Sequence, residues 1–164
     1  MPNKYYYLVA SLPYLQFNRP LPTSKGLFLS ECRKWLSPKD LDIITKTNIK
    51  DFEIITTDPE ITKNWKSFDI ELRESLAGLR NQRKASILEE KAAKNIYGEE
   101  DPLVLERKIE KKRWDYLDEL EFGNHFDMNI IIIYSLKLQI LERLASFDME
   151  KGISRFEGLC EVKI

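Results

Sequence analysis

The chain has 164 residues, 43% of them hydrophobic and 32% charged, and its 26 Lys+Arg against 27 Asp+Glu leave a formal net charge of -1. That length suits one domain with a core of its own. The near-cancelled charge argues against a mainly electrostatic nucleic-acid binder, which carries a basic excess, and six Gly leave little material for phosphate-cradling loops or a turn-rich β-sandwich.

From its start the chain runs Lys4-Tyr5-Tyr6-Tyr7-Leu8-Val9-Ala10 up to Pro13, with Pro20 and Pro22 beyond. Three prolines so close together break any continuous element and predict an irregular N-terminal arm packed on the rest. No apolar stretch near the start is long enough for a secretory signal, so a cytoplasmic protein is expected. A helix is predicted over about 23–36. Ser37-Pro38, Asp58-Pro59 and Asp101-Pro102 then write three helix starts in one way, a capping side chain before a proline whose missing N–H is no loss in the first turn. Asp40 stands where a capping-box partner of Ser37 belongs. Between the first two starts, 48–57 has no helical period and predicts a loop or a short strand.

Trp65, Phe68, Leu72, Leu76 and Leu79 recur at steps of three and four, the period of an amphipathic helix. Arg83 continues that stripe, which singles it out as a guanidinium held against a carboxylate or a partner. After Pro102, Leu105, Ile109, Tyr116, Leu117 and Leu120 mark a second inward face. The two segments predict a long antiparallel helical hairpin turning at 95–101, around Gly98. The segment 126–147 opens with four β-branched isoleucines that would suit a strand, but its length favours a helix. Ser135, Gln139, Glu142 and Ser146 form a narrow polar stripe on it amid apolar neighbours, as expected for the central helix of a bundle. Its charged and amide residues, Lys137 among them, argue against a membrane span. Lys137 lies off the polar stripe and is best read as paired within the bundle. Gly152, then Ile153, Phe156 and Leu159, predict a break and a short closing helix. The expected fold is therefore all-α: one helical domain over 1–164, with an arm and short helices over 1–60, a charged hairpin over 61–122, and central and closing helices over 126–164.

Candidate chemistry is sparse. Cys32 and Cys160 follow no metal or redox spacing and predict reduced thiols. The one histidine, His125, lies four residues after Glu121 in a glycine-containing turn, where a solvated or capping role is the better reading than metal ligation. No phosphate loop, dinucleotide fingerprint, nucleophile elbow or metalloprotease motif occurs. No catalytic residue, cofactor site, metal site or small-molecule substrate is predicted, and an enzyme built around His125 and Glu121 is the weakest of the functional readings. Paired acids such as Glu89-Glu90 suit a solvated helix face. Arg80, Arg83 and Lys84 on the first hairpin helix, and Arg107, Lys108, Lys111, Lys112 and Arg113 on the second, form two basic groups. Because Glu106, Glu110 and Asp115 interleave with the second at helical pairing distance, the hairpin reads as salt-bridged and solvated. Trp35, Trp65 and Trp114 read as core or helix-contact aromatics.

The opening Lys4-Tyr5-Tyr6-Tyr7-Leu8-Val9-Ala10-Ser11-Leu12-Pro13, then Phe17 and Pro20-Leu21-Pro22, resemble the start of an uncharacterised family encoded beside V/A-type rotary ATPase subunits in bacteria. The resemblance continues through Trp65, Phe68, Leu72 and Leu79-Arg80, through Arg113-Trp114-Asp115-Tyr116-Leu117, and through Phe126-Asp127 and Leu136-Lys137-Leu138-Gln139-Ile140-Leu141-Glu142-Arg143. It implies association with the rotary ATPase, and with its membrane only through that complex. The implied relative is the all-helical C subunit, which is built from three similar modules; at 164 residues the chain suits a one-module connector or an assembly factor. The expected function is thus a non-enzymatic accessory, connector or assembly subunit. Its predicted contact residues are Arg80, Arg83, Lys84, Lys111, Lys112 and Arg113 on the hairpin, with Tyr5 and Tyr6 on the arm. The alternative is a helical RNA- or ribosome-associated adaptor using the same basic groups.

Overall fold

A computed structural model describes residues 4–88 and 102–147; the side chains of Lys4 and of 82–88 lie outside that description. Six helices and no strand occur among the described residues: α1 Lys4–Ser11, α2 Lys25–Trp35, α3 Pro38–Lys46, α4 Glu60–Leu88, α5 Pro102–Glu121 and α6 Met128–Ala145. The all-α expectation holds. The predicted hairpin turn with Gly98, the closing helix after Gly152 and Cys160 all lie outside the described residues.

The core is built around α6. Ile131, Ile132, Ile133, Leu136, Leu138 and Ile140 are all essentially inaccessible, so the isoleucine run is buried on nearly every side, as a bundle's central helix requires. Helix α5 packs most closely on it, and α1, α2, α3 and α4 each touch it as well. Leu8, Phe28, Cys32, Ile44, Ile61, Trp65, Trp114 and Leu117 complete one continuous apolar cluster. Burial pushes the Cys32 thiol up to about 12, which leaves it protonated and inert.

The N-terminal segment is more regular than the prolines suggested, because its first eight described residues form α1 before Pro13 intervenes. Leu8 faces the core with Tyr5, Val9 and Leu12 beside it, a three-to-four spacing that buries one face of even a short helix. Ser24 and Ser37 cap α2 and α3 by accepting from Leu27 N and Asp40 N. Asp58 departs from the capping role expected of it: its carboxylate turns back to accept from Ile55 N at 3.1 Å and from Lys66 Nζ at 2.8 Å. The stretch between α3 and α4 is loop, without a strand.

The polar stripe of α6 does not face water at its middle. Gln139 is buried, donating through Nε2 to Thr47 O at 3.0 Å and accepting at Oε1 from Ile49 N at 3.2 Å. It thus serves as a substitute backbone partner for the turn after α3. One turn on, Glu142 Oε1 accepts from Lys25 N at 2.7 Å, placing a carboxylate at the positive N-terminus of α2. The stripe ties the short N-terminal helices to the central one.

Helices α4 and α5 run antiparallel. Phe68 stacks on Tyr116 with ring centroids 3.9 Å apart, and Arg113 meets Asp69 nearby. Burial declines along the α4 stripe, from Trp65 in the core to Leu79 at the surface. The 29 residues of α4 span about 43 Å at 1.5 Å per residue, so its C-terminal half carries the stripe past the core.

Candidate partner-binding surface

Three consecutive tyrosines on a helix stand about 100° apart and cannot all face inward. Tyr5 turns in, half-buried, and its hydroxyl donates to Asp40 Oδ2 at 3.2 Å. Tyr6 and Tyr7 are left at the surface, where a continuous run of rings forms across three elements. Trp35 at the end of α2 stacks on Tyr7 at 5.5 Å, Tyr7 meets Tyr6 edge-on at 5.7 Å, and Tyr6 lies 4.7 Å from Phe126 in the α5–α6 turn. These four rings are 42%, 55%, 49% and 48% exposed respectively. Of the two places the sequence allows Trp35, it takes the helix contact, packing on Tyr7 of α1 rather than entering the core. Tyr7 and Phe126 are not among the contact residues predicted from the sequence; the tyrosine triplet is the signal that points to Tyr7. Phe126 takes a positive φ of 52°, uncommon for a bulky residue, and this conformation places its ring against Tyr6. Gly123 supplies the other left-handed residue of the turn, at φ 88°.

The predicted hairpin contacts divide. Arg80 and Lys112 are exposed, and Lys111 is exposed but paired with Asp115, its ammonium 5.6 Å from the Phe17 ring centre. The side chains of Arg83 and Lys84 lie outside the described residues. Arg113 is drawn into the interior, 6% exposed, and does not share a surface with Lys111 and Lys112. A buried guanidinium of the kind expected at Arg83 is found at Arg113. Ile109, Arg113 and Leu117 repeat at steps of four, so Arg113 lay on an inward stripe, masked in the sequence by its charged neighbours.

Around Arg113 three carboxylates meet three guanidinium groups. Arg113 reaches Asp69 Oδ1 at 2.7 Å and Glu110 Oε1 at 2.7 Å; Arg73 holds Asp69 Oδ2 at 2.7 Å; Arg143 lies 3.0 Å from Glu110 and 3.1 Å from Glu106. Asp69 and Glu110 are almost wholly inaccessible, so this balanced network joins α4, α5 and α6 from within. Glu110 Oε2 is buried without a hydrogen-bond partner. Burial raises the Glu110 pKa despite the opposing pull of Arg113 and Arg143.

Two lysines are buried in the same manner. Lys66 donates to Asp58, pairs with Asp51 at 2.9 Å and donates to Glu53 O at 2.6 Å, clamping the loop before α4. The neighbouring Phe52 ring carries Arg73 at 3.8 Å. Lys137 is paired within the bundle, as expected, with Asp118 at 2.6 Å and with Glu121, and its ammonium lies 5.3 Å from the Trp114 ring centre. Glu121 is thus engaged by Lys137, while His125 is exposed in the turn. Among the described residues no group of three or more His, Cys, Asp or Glu could hold a metal ion, and no helix is long and apolar enough to cross a membrane.

A cavity of about 170 Å³ opens between α1, the turn at 13–15 and α6, lined by Val9, Leu12, Ile130 and Ile133, with Glu121 and Lys137 at one end. Tyr134 borders it and donates through its hydroxyl to Pro13 O at 2.9 Å.

Comparison with known proteins adds one likeness. Residues 85–162, just under half the chain, match the model of a family described as a protein of unknown function (DUF2764). No curated protein and no solved structure matches the chain.

Proposed function

We propose that the chain is a non-enzymatic accessory, connector or assembly subunit that docks on a V/A-type rotary ATPase through its surface aromatics and the exposed basic residues of its hairpin. The observation that carries the interaction reading is the run Trp35–Tyr7–Tyr6–Phe126. Four adjoining rings, each about half exposed, are the material from which binding hot spots are made, and clustered exposed apolar surface marks contact sites. The choice of the rotary ATPase rests on the resemblance of the opening Lys4–Pro13 segment and the later motifs to the family encoded beside its subunits. An uncharacterised-family match over 85–162 accords with that resemblance without naming a partner.

The RNA-adaptor reading has less support. Arg113 is neutralised inside the bundle and Lys111 is paired with Asp115, which removes two charges that phosphates would need. Affinity purification of the tagged chain from its native host, followed by mass spectrometry, tests the proposal. ATPase subunits should be recovered, and absence of this chain both from the mature complex and from its assembly intermediates would remove it.

A further inference from the structure

The cavity between α1 and α6 is small and chemically two-sided. Val9, Leu12, Ile130 and Ile133 form apolar walls, whereas Lys137 and Glu121 stand together at one end and Tyr14, 81% exposed, is at the rim. Drug-sized ligands and cofactors occupy roughly 300–1,000 Å³, well above the 170 Å³ here. A cavity of about 150 Å³ takes one benzene ring. This volume therefore suits a single aromatic side chain.

Charge selects what flanks that ring. Lys137 is 7% exposed, and its ammonium is shared by two carboxylates, Asp118 and Glu121, whose side chains are 50% and 43% exposed. Glu121 lines the cavity and Asp118 stands outside it on the same ammonium, so one ammonium against two carboxylates leaves a net negative charge beside the cavity, with about half of each acid still open to solvent. An incoming carboxylate would meet that excess, whereas a cation is attracted by it. A buried lysine already held by two carboxylates also has little left of the three donors that anion capture would use.

We propose that this pocket receives a protein partner's aromatic side chain flanked by Lys or Arg, the ring entering between Val9, Leu12, Ile130 and Ile133 and the cation pairing with Glu121 and Asp118. The site adjoins the exposed ring of Tyr6: α1 lies parallel to α6, with Tyr6 beside Phe126 at one end and Pro13 bonded to Tyr134 at the other. The inference rests on reading the chain as an interaction subunit and names the chemistry of one contact. Its test needs no ATPase, so its failure is separate from failure of the ATPase assignment.

The experiment titrates the full-length, isotopically labelled chain with the capped peptides acetyl-Gly-Phe-Lys-Gly-amide, acetyl-Gly-Phe-Glu-Gly-amide and acetyl-Gly-Ala-Lys-Gly-amide, and with benzylamine, following backbone amide shifts. The Phe-Lys peptide should move amides of α1 and of the first half of α6 and bind about fivefold more tightly than the Phe-Glu peptide, the scale of a partly exposed charge pair; the Ala-Lys peptide should not bind. Val9→Trp, which fills the cavity, should weaken the Phe-Lys peptide about tenfold or more while the spectrum stays dispersed. Glu121→Lys, at a half-exposed position that leaves the apolar walls intact, should reverse the Lys-over-Glu preference. Equal binding of the two Phe peptides, shifts confined to other surfaces, or no shifts would overturn the proposal. Binding of benzylamine without the Phe-Lys peptide would overturn it in favour of a free-amine site.

Discussion

Arg113 of α5 and Asp69 of α4, forty-four positions apart in the chain, meet at 2.7 Å in a place from which water is almost wholly excluded. Each nitrogen of the Arg113 guanidinium has a carboxylate oxygen, and Arg73, Glu106, Glu110 and Arg143 extend the pairing across three helices. Removing one member strands its partners as buried charges, which is more damaging than replacing the whole network by apolar groups. Arg113→Ala is therefore expected to lower stability by about 3–5 kcal/mol, measured by urea denaturation at neutral pH. A loss below about 1 kcal/mol would mean that Arg113 is solvated, in keeping with a surface role.

Gln139 occupies a different kind of junction, where one amide closes two backbone groups of the turn after α3. In Gln139→Leu the volume is nearly kept, but Thr47 O and Ile49 N lose their partner in the interior. Each orphaned group costs about 1–3 kcal/mol, so a loss of about 2–6 kcal/mol is expected in chemical denaturation. Hydrogen exchange at Ile49 should rise with it, since its amide loses its acceptor. Unchanged exchange there would show that the turn is held by something else.

The Lys66 clamp sets a pH window. Hydrogen bonding to Lys66 lowers the Asp51 pKa. At Asp58 burial pushes the other way, but the bonds from Lys66 and Ile55 N outweigh it and that pKa is lowered too. Burial opposes the charge of Lys66, and the bonds to Asp58 and Asp51 override it to raise its pKa. Lowered acids give stability that is present above their ordinary value of 3.8 and lost as pH falls through the folded value; a raised lysine gives stability present below 10.5 and lost as pH rises beyond it. Limited proteolysis within 51–58 should thus be slow between about pH 4 and 10 and accelerate outside it. Lys66→Met should abolish the protected window.

Glu110 acts in the opposite sense to the clamp's acids. Its raised pKa, caused by burial, means that the folded state binds the proton more readily than the unfolded chain. Its contribution is fully present below the ordinary value of 4.5 and is lost as pH rises through the folded value. Glu110→Gln should flatten this part of the stability profile above pH 4.5, read from urea midpoints in steps of half a pH unit. An unchanged slope would place the titration on another group.

The surface rings should be separable from the fold. Tyr6→Ser with Tyr7→Ser removes half-exposed rings that face solvent on one side, and the pair together should cost no more than about 1–2 kcal/mol. Circular dichroism should show the helices intact. Loss of the helical signal would mean that these rings belong to the core.

What the residues disclosed, and what they withheld, follows the range of the interactions. Ser37-Pro38 announces its helix because a cap is satisfied within three residues, and the stripe from Trp65 to Leu79 is legible because helical period is local. Asp58 marked the right boundary for another reason: its carboxylate serves Ile55 and Lys66, one of them a turn and a half into the next helix. Arg113 was assigned to a basic surface since its sequence neighbours are charged; its partner Asp69 lies on a different helix, and no local pattern joins them. Residue type leaves Trp35 open between core and helix contact, and its position at the end of α2 beside Tyr7 makes it the contact, half in solvent. Tyr6, Lys111 and Lys112 were placed at the surface on sequence grounds and do lie there.

The central proposal is docking on the rotary ATPase through these surfaces. It is tested most directly by quantifying ATPase subunits recovered with the tagged native chain, beside the Tyr6→Ser, Tyr7→Ser, Lys112→Glu triple variant expressed at the same level. The account predicts recovery of those subunits with the native chain and at least a tenfold reduction, equivalent to about 1.4 kcal/mol, with a folded variant. Equal recovery by both would contradict the assigned surface, and no ATPase subunit with either would contradict the function itself.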